Sequence, residues 1–172
     1  ELTAITGAGL ALMAVQHVAM PGWRANAKLG GQNGVNAARH AAWAGLPKGM
    51  TLYLDVEEVS RKTSPADVIA YCNAWYDAVH KAGYLPGIYV GSGSGLTADQ
   101  LYYNLKFKTY WKSGSRVPPI PLRGYAMVQK IIPGDKIAGI AIDRNVIMAD
   151  QLGALPTWAR TARSQASSST SQ

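Results

Sequence analysis

The sequence predicts an α/β fold that is built on a parallel sheet. Short apolar segments, rich in β-branched and aromatic residues, alternate with segments of helical periodicity, and glycine or proline separates them. Of the 172 residues, 48% are hydrophobic and 16% are charged, which is typical of a globular chain with a sizeable core. Polar residues follow several of the apolar segments. Because the loops at the carboxyl ends of a barrel's strands converge on one cleft, this placement favours a (β/α) TIM-type barrel over an open, doubly wound sheet.

The expected strands are short apolar runs that end at glycine, proline or polar residues. They are expected at residues 10–18, 50–56, 85–90, 109–111, 125–130 and 138–142. The first run is almost unbroken in its apolar character, so we expect that strand to be buried on both faces.

Helices are expected where apolar residues recur at helical spacing, at residues 33–44, 64–83, 97–105 and 147–152. Ser64 and Thr97 each stand three residues before an acid or an amide, which is the pattern of a capping box at a helix start. Gly45 and Gly83 follow the first two helical patterns and predict their ends.

One domain is expected over residues 1–160, because the strand–helix alternation ends there. Residues 161–172 are polar and rich in serine, so they predict a disordered tail or a linker. No apolar run reaches the roughly 18 residues of a membrane span, so none is expected. The chain begins at Glu1 rather than Met, and any export signal is expected upstream of it.

The charge is basic, with 17 Lys and Arg against 10 Asp and Glu, a formal net charge of +7. These basic residues are spread singly along the chain, and no aromatic-interleaved basic motif accompanies them. The distribution therefore argues against a nucleic-acid partner. An anionic cell-wall polymer explains the basic charge at least as well as a nucleic acid does. Binding to an anionic partner by charge alone is the least favoured of the three functions considered.

Two carboxylates end the second expected strand and form the central feature of the sequence. Asp55 and Glu57 are two residues apart, so they point to one face of the strand with Cα atoms about 6.5 Å apart. Paired carboxylates in unequal environments are the usual apparatus for cleaving glycosidic bonds. The alternative is a solvated strand end whose acids cap the following loop.

Further polar and aromatic residues are expected beside this pair, at or just after the ends of other strands. The set with the two acids comprises His17, Asp55, Glu57, Gly91, Trp111, Gln129 and Asp143. The aromatic candidates for stacking on sugar rings are Tyr53, Tyr89, Trp111 and Tyr125, although each is also a candidate to fill the core. His17 is a candidate to hydrogen-bond a sugar hydroxyl. The alternative is that it only satisfies polar groups in the wall of the cleft.

Four segments in order resemble the family 25 glycoside hydrolase lysozymes and, more closely, the related glycoside-hydrolase-like domains of secreted bacterial proteins. They are Leu-Asp-Val-Glu at 54–57, Ala-Gly-Tyr-Leu-Pro-Gly-Ile-Tyr-Val-Gly at 82–91, Gln129 after Tyr-Ala-Met-Val, and Ile-Asp-Arg-Asn-Val at 142–146. The resemblance implies a modified barrel that acts on the glycan strands of peptidoglycan without a metal or an organic cofactor. It also implies a secreted or cell-wall-associated protein, which we expect to be a monomer.

The resemblance implies roles for three acids. Glu57 corresponds to the general acid, and Asp55 to the carboxylate that positions or stabilises the reacting sugar. Asp143 matches the family's aspartate near the last strand. We count Gln129 with the substrate-binding residues. The group that attacks the anomeric carbon stays open among a second carboxylate, the substrate's own acetamido group and an activated water.

The start of the chain departs from the family pattern. Family members open with a strand that carries a further aspartate, whereas residues 1–9 look like the helix that follows such a strand. The first strand is therefore expected to be absent or to lie upstream of Glu1, and the barrel to be incomplete. A catalytically silent domain that binds glycan with the same barrel is the alternative to the hydrolase.

Overall fold

Five parallel strands in sequence order form most of one six-stranded sheet in the computed structural model, which describes residues 2–17 and 20–160. The expected tail at 161–172 lies outside the described residues. The strands are β1 (Ala14–Gln16), β2 (Thr51–Val56), β3 (Leu85–Val90), β4 (Tyr110–Lys112), β5 (Met127–Lys130), β6 (Lys136–Ile137), β7 (Ile140–Ala141) and β8 (Arg144–Ile147). The helices are α1 (Leu2–Gly7), α2 (Ala27–Trp43) and α3 (Pro65–Lys81), with a π-helical turn at Gln100–Asn104. None of these helices is long and apolar enough to cross a bilayer.

The order of the strands is that of a barrel segment. The large sheet runs β1-β2-β3-β4-β5-β8, and β8 is antiparallel to β5 whereas the other neighbours are parallel. A doubly wound sheet would reverse its order at a switch point, and this sheet does not. The expectation of an incomplete, modified barrel agrees with this half-barrel, because β1 and β8 end the sheet without pairing with each other within the described residues.

Strand β2, the second strand of the sheet, organises the core. All six of its residues are buried between β1 and β3, as its apolar composition predicts. Side chains alternate between the two faces of the sheet, so Leu52, Leu54 and Val56 face one side, and Tyr53 and Asp55 face the other. The predicted strand at 85–90 is confirmed as β3, which pairs with β2 over its whole length.

Helices α2 and α3 pack together against one face of the sheet. Gln16 on β1 shows which face this is, because its side-chain amide donates to the carbonyl of Asn33 on α2 and accepts from the indole of Trp75 on α3. The contact between the helices depends on glycine. An added Cβ on Gly30 would overlap the backbone carbonyl of Tyr71, and one on Gly34 would lie 2.7 Å from the carbonyl oxygen of Trp75.

The predicted start of α3 is confirmed, because the Ser64 hydroxyl accepts a hydrogen bond from the backbone N–H of Asp67. The start of α2 differs from the prediction by six residues. The helix begins at Ala27 rather than residue 33, with the Asn26 side chain accepting from the backbone N–H of Leu29. Its glycines resemble helix breakers in the sequence, but they serve the close contact with α3.

One further prediction holds only in part, and two are wrong. The strand expected at 10–18 is confined to β1 at the edge of the sheet, where Val15 is 48% exposed and borders a cavity of about 240 Å³. The strand expected at 138–142 is instead the hairpin of β6 and β7, which turns at Ala138 and Gly139 with positive φ angles of 50° and 82°. The helix expected at 147–152 is absent from this described stretch, because Ile147 ends β8 and loop residues follow.

Gly30→Ala should lower the free energy of unfolding by about 1–3 kcal/mol, because the new methyl group meets backbone and the helices must move apart. Gly31→Ala is the matched control on the same helix, since nothing lies within 4 Å of its added Cβ. The control should gain about 0.5–1 kcal/mol from helix propensity. Urea denaturation of the two variants measures both changes, and equal stabilities would contradict the packing described here.

Candidate active site

The carboxyl ends of β1 to β4 bring the predicted site residues to the face of the sheet opposite the helices. Register aligns Val15 with Tyr53, so His17 and Asp55, two residues further along each strand, come side by side. The next pairs place Asp55 beside Tyr89, and Tyr89 beside Trp111. Residues that lie far apart in the sequence therefore line one concave surface.

Three ionisable side chains form the centre of this surface. His17 Nδ1 lies 2.6 Å from Asp55 Oδ2, and one donor atom each of His17, Asp55 and Glu57 lie within 4.8 Å of one another. Asp55 is only 7% exposed, whereas the His17 side chain is 68% exposed. The second oxygen of Asp55, Oδ1, is buried without a hydrogen-bond partner in the protein. The predicted acid pair is thus brought together with His17.

The electrostatics of the three groups follow from their burial and proximity. Burial raises the pKa of Glu57 above its ordinary value, and the charges of Asp55 and Glu58 raise that pKa further. Burial also raises the pKa of Asp55, although the hydrogen bond from His17 opposes that shift. The same hydrogen bond raises the pKa of His17. The pKa values of both carboxyls are therefore raised, and the hydrogen bond from His17 opposes the shift at Asp55.

The position of Glu57 is fixed from two sides. The indole N–H of Trp23 donates to the backbone carbonyl of Glu57 at 2.9 Å, and the carbonyl of Trp23 accepts from the N–H of Ser60. On the other side, an added Cβ on Gly91 would overlap Glu57 Cβ and Oε2. Glu58 follows with a positive φ of 51° and donates its N–H to Ser92. The turn that carries Glu57 is thus held against the loops after β1 and β3.

Trp23 is a site residue that the sequence did not indicate. It stands in the loop after Pro21-Gly22, and its indole reaches a backbone carbonyl 34 positions later in the chain. Its ring also packs edge to face on Tyr71, with centroids 4.9 Å apart. No local pattern signals such a contact, since the acceptor is a backbone atom.

The aromatic residues form one group around Trp111. The ring of Trp111 packs edge to face on Tyr53 at 5.3 Å and on Tyr89 at 4.8 Å. Tyr53 is fully buried, and its hydroxyl has no hydrogen-bond partner in the protein. Tyr89 and Trp111 are partly exposed, so they are the two members of the group that present surface to a ligand. The indole N–H of Trp111 donates to Asn145 Oδ1.

Gln129 connects the aromatic group to Asp143. Its side-chain carbonyl accepts from the Tyr89 hydroxyl at 3.0 Å and from the backbone N–H of Gly114, and its amide N–H donates to Asp143 Oδ2 at 3.0 Å. Burial and the charges of Glu57 and Asp55 raise the pKa of Tyr89 to about 12, so its hydroxyl stays protonated and donates. Asp143 arrives here because β8 runs antiparallel and begins where β5 ends.

The structure does not bring Tyr125 to this surface. Tyr125 precedes the first residue of β5 and therefore lies at the amino end of the parallel strands. Its hydroxyl donates to the carbonyl of Pro118 at 2.6 Å, and its ring packs on the hydrophobic core.

Within residues 2–17 and 20–160, one group of three side chains could bind a divalent cation. The group is His17, Asp55 and Glu57, the same side chains that form the centre of the site. One imidazole nitrogen and two carboxylate oxygens suit several divalent metals. The short hydrogen bond between His17 and Asp55 occupies two of these donor atoms as the site stands.

The strand order and the acid pair at the carboxyl ends define a glycoside-hydrolase-like half-barrel domain. The chain belongs to the family of Rv2525c-like, glycoside hydrolase-like domains, whose family model matches residues 1–147. This finding confirms the glycoside-hydrolase-like resemblance in its broader form and does not single out the family 25 lysozymes. No curated protein matches the chain.

One solved structure supports the fold. The chain is similar to an uncharacterized B. stearothermophilus protein whose crystal structure was determined at 1.07 Å, with a TM-score of 0.61 and 18% sequence identity. The similarity covers 85% of this chain and 74% of that chain. At this level of identity, the comparison shows a shared fold and says nothing of activity.

Gly91→Ala should displace Glu57, because the added methyl group would overlap Glu57 Cβ and the turn that carries this residue must shift to admit it. Gly93→Ala would be a poor control because Gly93 has a positive φ of 67°, so Ser92→Ala serves instead. Carboxyl chemical shifts in NMR spectra report the change. We expect the Glu57 signal to move in the Gly91 variant and to stay unchanged in Ser92→Ala; an unmoved signal in both variants would contradict the contact.

Glu57→Gln should make the protein more stable at pH 7. A folded-state pKa above the ordinary value of 4.5 means that the folded state holds the proton more tightly than the unfolded state. Stability due to this group is therefore present below pH 4.5 and is lost as pH rises through the folded pKa. Glutamine avoids that loss.

Thermal melting of the parent and Glu57→Gln between pH 3.5 and 7 measures this effect. The gain in the variant should shrink as the pH falls through the folded-state pKa of Glu57 and should be largely gone below pH 4.5. Asp99→Asn is the control for removing one negative charge from an exposed position. A variant that is less stable than the parent at pH 7 would contradict the raised pKa of Glu57.

Proposed function

We propose that this domain is a glycosidase that cleaves the glycan strands of peptidoglycan, with Glu57 as general acid. The observation that supports the proposal most strongly is the acid pair at the carboxyl ends of the strands, where Glu57 and Asp55 approach within 4.8 Å and the pKa of Glu57 is raised. Membership of a glycoside hydrolase-like family supports the same reaction class. A secreted or cell-wall-associated location is part of this proposal.

The proposed reaction begins with proton transfer from Glu57 to the oxygen of the leaving sugar. A raised pKa keeps a carboxyl protonated to higher pH than its ordinary value allows, which suits a general acid. Asp55 stabilises the positive charge that develops on the reacting sugar, and His17 orients Asp55 through their hydrogen bond. Tyr89 and Trp111 offer partly exposed rings on which a sugar can stack.

The short separation of the carboxylates bears on the attacking group. Inverting glycosidases keep their carboxyl groups roughly 6.5–9.5 Å apart to admit a water, and retaining enzymes keep them about 5–5.5 Å apart. One oxygen of Asp55 and one of Glu57 lie within 4.8 Å of each other, which is closer to the spacing of retaining enzymes. The geometry therefore favours attack by the substrate's own acetamido group or by Asp55, and retention at the anomeric carbon.

A second candidate is a catalytically silent domain that binds the same glycan. The observation that favours it is the engagement of Asp55, which is 7% exposed and already bonded to His17. A carboxylate held in this way also fits a purely structural role in the wall of a binding cleft. The surface around Trp111 and Tyr89 would then recognise sugars without cleaving them.

Release of reducing ends from purified peptidoglycan tests the proposal. Glu57→Gln should lower the rate by two or more orders of magnitude, which is the usual size of a general-acid contribution. Glu58→Gln is the matched control, because it removes the neighbouring carboxylate, and it should retain activity within a few fold. Equal rates for the parent and Glu57→Gln would contradict the assignment. No release by the parent, with glycan binding retained, would establish the silent domain.

A further inference from the structure

The hairpin of β6 and β7 is a feature that the proposed function does not use. It forms a two-stranded sheet of its own, separate from the half-barrel. Ile137 pairs directly with Ile140 across a two-residue turn, Ala138-Gly139, in which both φ angles are positive. This is the geometry of a tight hairpin turn, so the hairpin is a defined element with a narrow tip.

The tip of the hairpin is apolar although it is exposed. Residues 137–142 are six successive residues without a polar side chain. Ile137 and Ile140 are 59% and 69% exposed, and Ile131 and Ile132 at the base are 60% and 50% exposed. Exposed apolar runs of this length are rare on soluble domains unless they bind something.

An ion pair and two backbone hydrogen bonds close the hairpin at its base. Arg144 forms a bidentate ion pair with Asp135, with N–O distances of 2.6 and 3.1 Å. The N–H of Ile142 donates to the carbonyl of Asp135, and the N–H of Asp135 donates to Ile132. These bonds close the hairpin at its base, so the apolar tip is projected from an ordered support.

The surroundings of the tip are basic. Lys130 ends β5 beside the hairpin, Lys136 begins β6, and both are exposed. The only carboxylate within residues 130–141 is Asp135, which is engaged by Arg144. The whole chain carries a formal charge of +7. An anionic partner with an apolar interior complements this combination.

We propose that the β6–β7 hairpin inserts its isoleucine tip into the headgroup region of an anionic lipid bilayer. Aliphatic side chains flanked by lysines are typical of segments that lie at a membrane interface. A narrow convex tip also offers little surface to a rigid partner, whereas fluid lipid closes around it.

The insertion places the candidate active site beside the bilayer. Asp143 follows the hairpin directly and is bonded to Gln129 on the concave surface. The domain would then meet its substrate close to the lipid surface. The proposal is independent of catalysis, because it rests on the hairpin and not on the acid pair.

Flotation of the purified chain with lipid vesicles tests the proposal. The parent should float with phosphatidylglycerol vesicles and not with phosphatidylcholine vesicles. The double change Ile137→Ser and Ile140→Ser should lower the partition by about tenfold or more. The double change Lys130→Gln and Lys136→Gln should weaken it by several fold for each lysine, as should high salt.

Leu122→Ser with Leu155→Ser is the matched control, because both leucines are exposed and Leu122 precedes β5 at the far end of the sheet. This control should float like the parent, and thermal melting should show all variants folded. No flotation of the parent, or equal flotation of the hairpin variant, would overturn the proposal. Self-association without lipid that depends on Ile137 and Ile140, measured by analytical ultracentrifugation, would assign the tip to a protein contact and overturn it as well.

Discussion

The hydrogen bond between His17 and Asp55 joins the edge strand β1 to its neighbour β2 at the carboxyl ends of both strands. A carboxylate that is 7% exposed is costly unless it has a partner, and this bond supplies one. Asp55 Oδ1 nevertheless stays without a partner, and Glu57 lies close enough to add its own negative charge. The fold therefore tolerates electrostatic strain at this place, which is characteristic of a site that acts on a ligand.

The sequence predicted those elements of the fold in which local signals agree with the packing. β2 and β3 are apolar and buried, and Ser64 caps α3 as its spacing indicates. The start of α2 escaped prediction because Gly30 looks like a helix breaker in the sequence. Its purpose is visible only in three dimensions, where it allows α3 to approach closely. The half-barrel also depends on which strands pair, and periodicity does not encode pairing.

The candidate site was predictable where it follows from the two-residue alternation of side chains along a strand. This alternation alone places Asp55 and Glu57 on one face of the sheet. The parallel pairing of β1 with β2 then brings His17 beside Asp55. The contribution of Trp23 was not predictable, because its bond reaches the backbone of a residue distant in the chain. As an aromatic residue, Tyr125 is a candidate for stacking on a sugar. It lies at the amino end of β5, however, where its hydroxyl donates a hydrogen bond to the carbonyl of Pro118.

We expect glycan to bind on the concave surface at the carboxyl ends of the strands. An NMR titration of the isotope-labelled chain with soluble glycan fragments released from peptidoglycan tests this claim most directly. We predict saturable shifts at the backbone amides of Glu57, Gly91 and the neighbours of Trp111, whether or not the bond is cleaved. Absence of saturable shifts, or shifts confined to the amino ends of the strands, would contradict the claim.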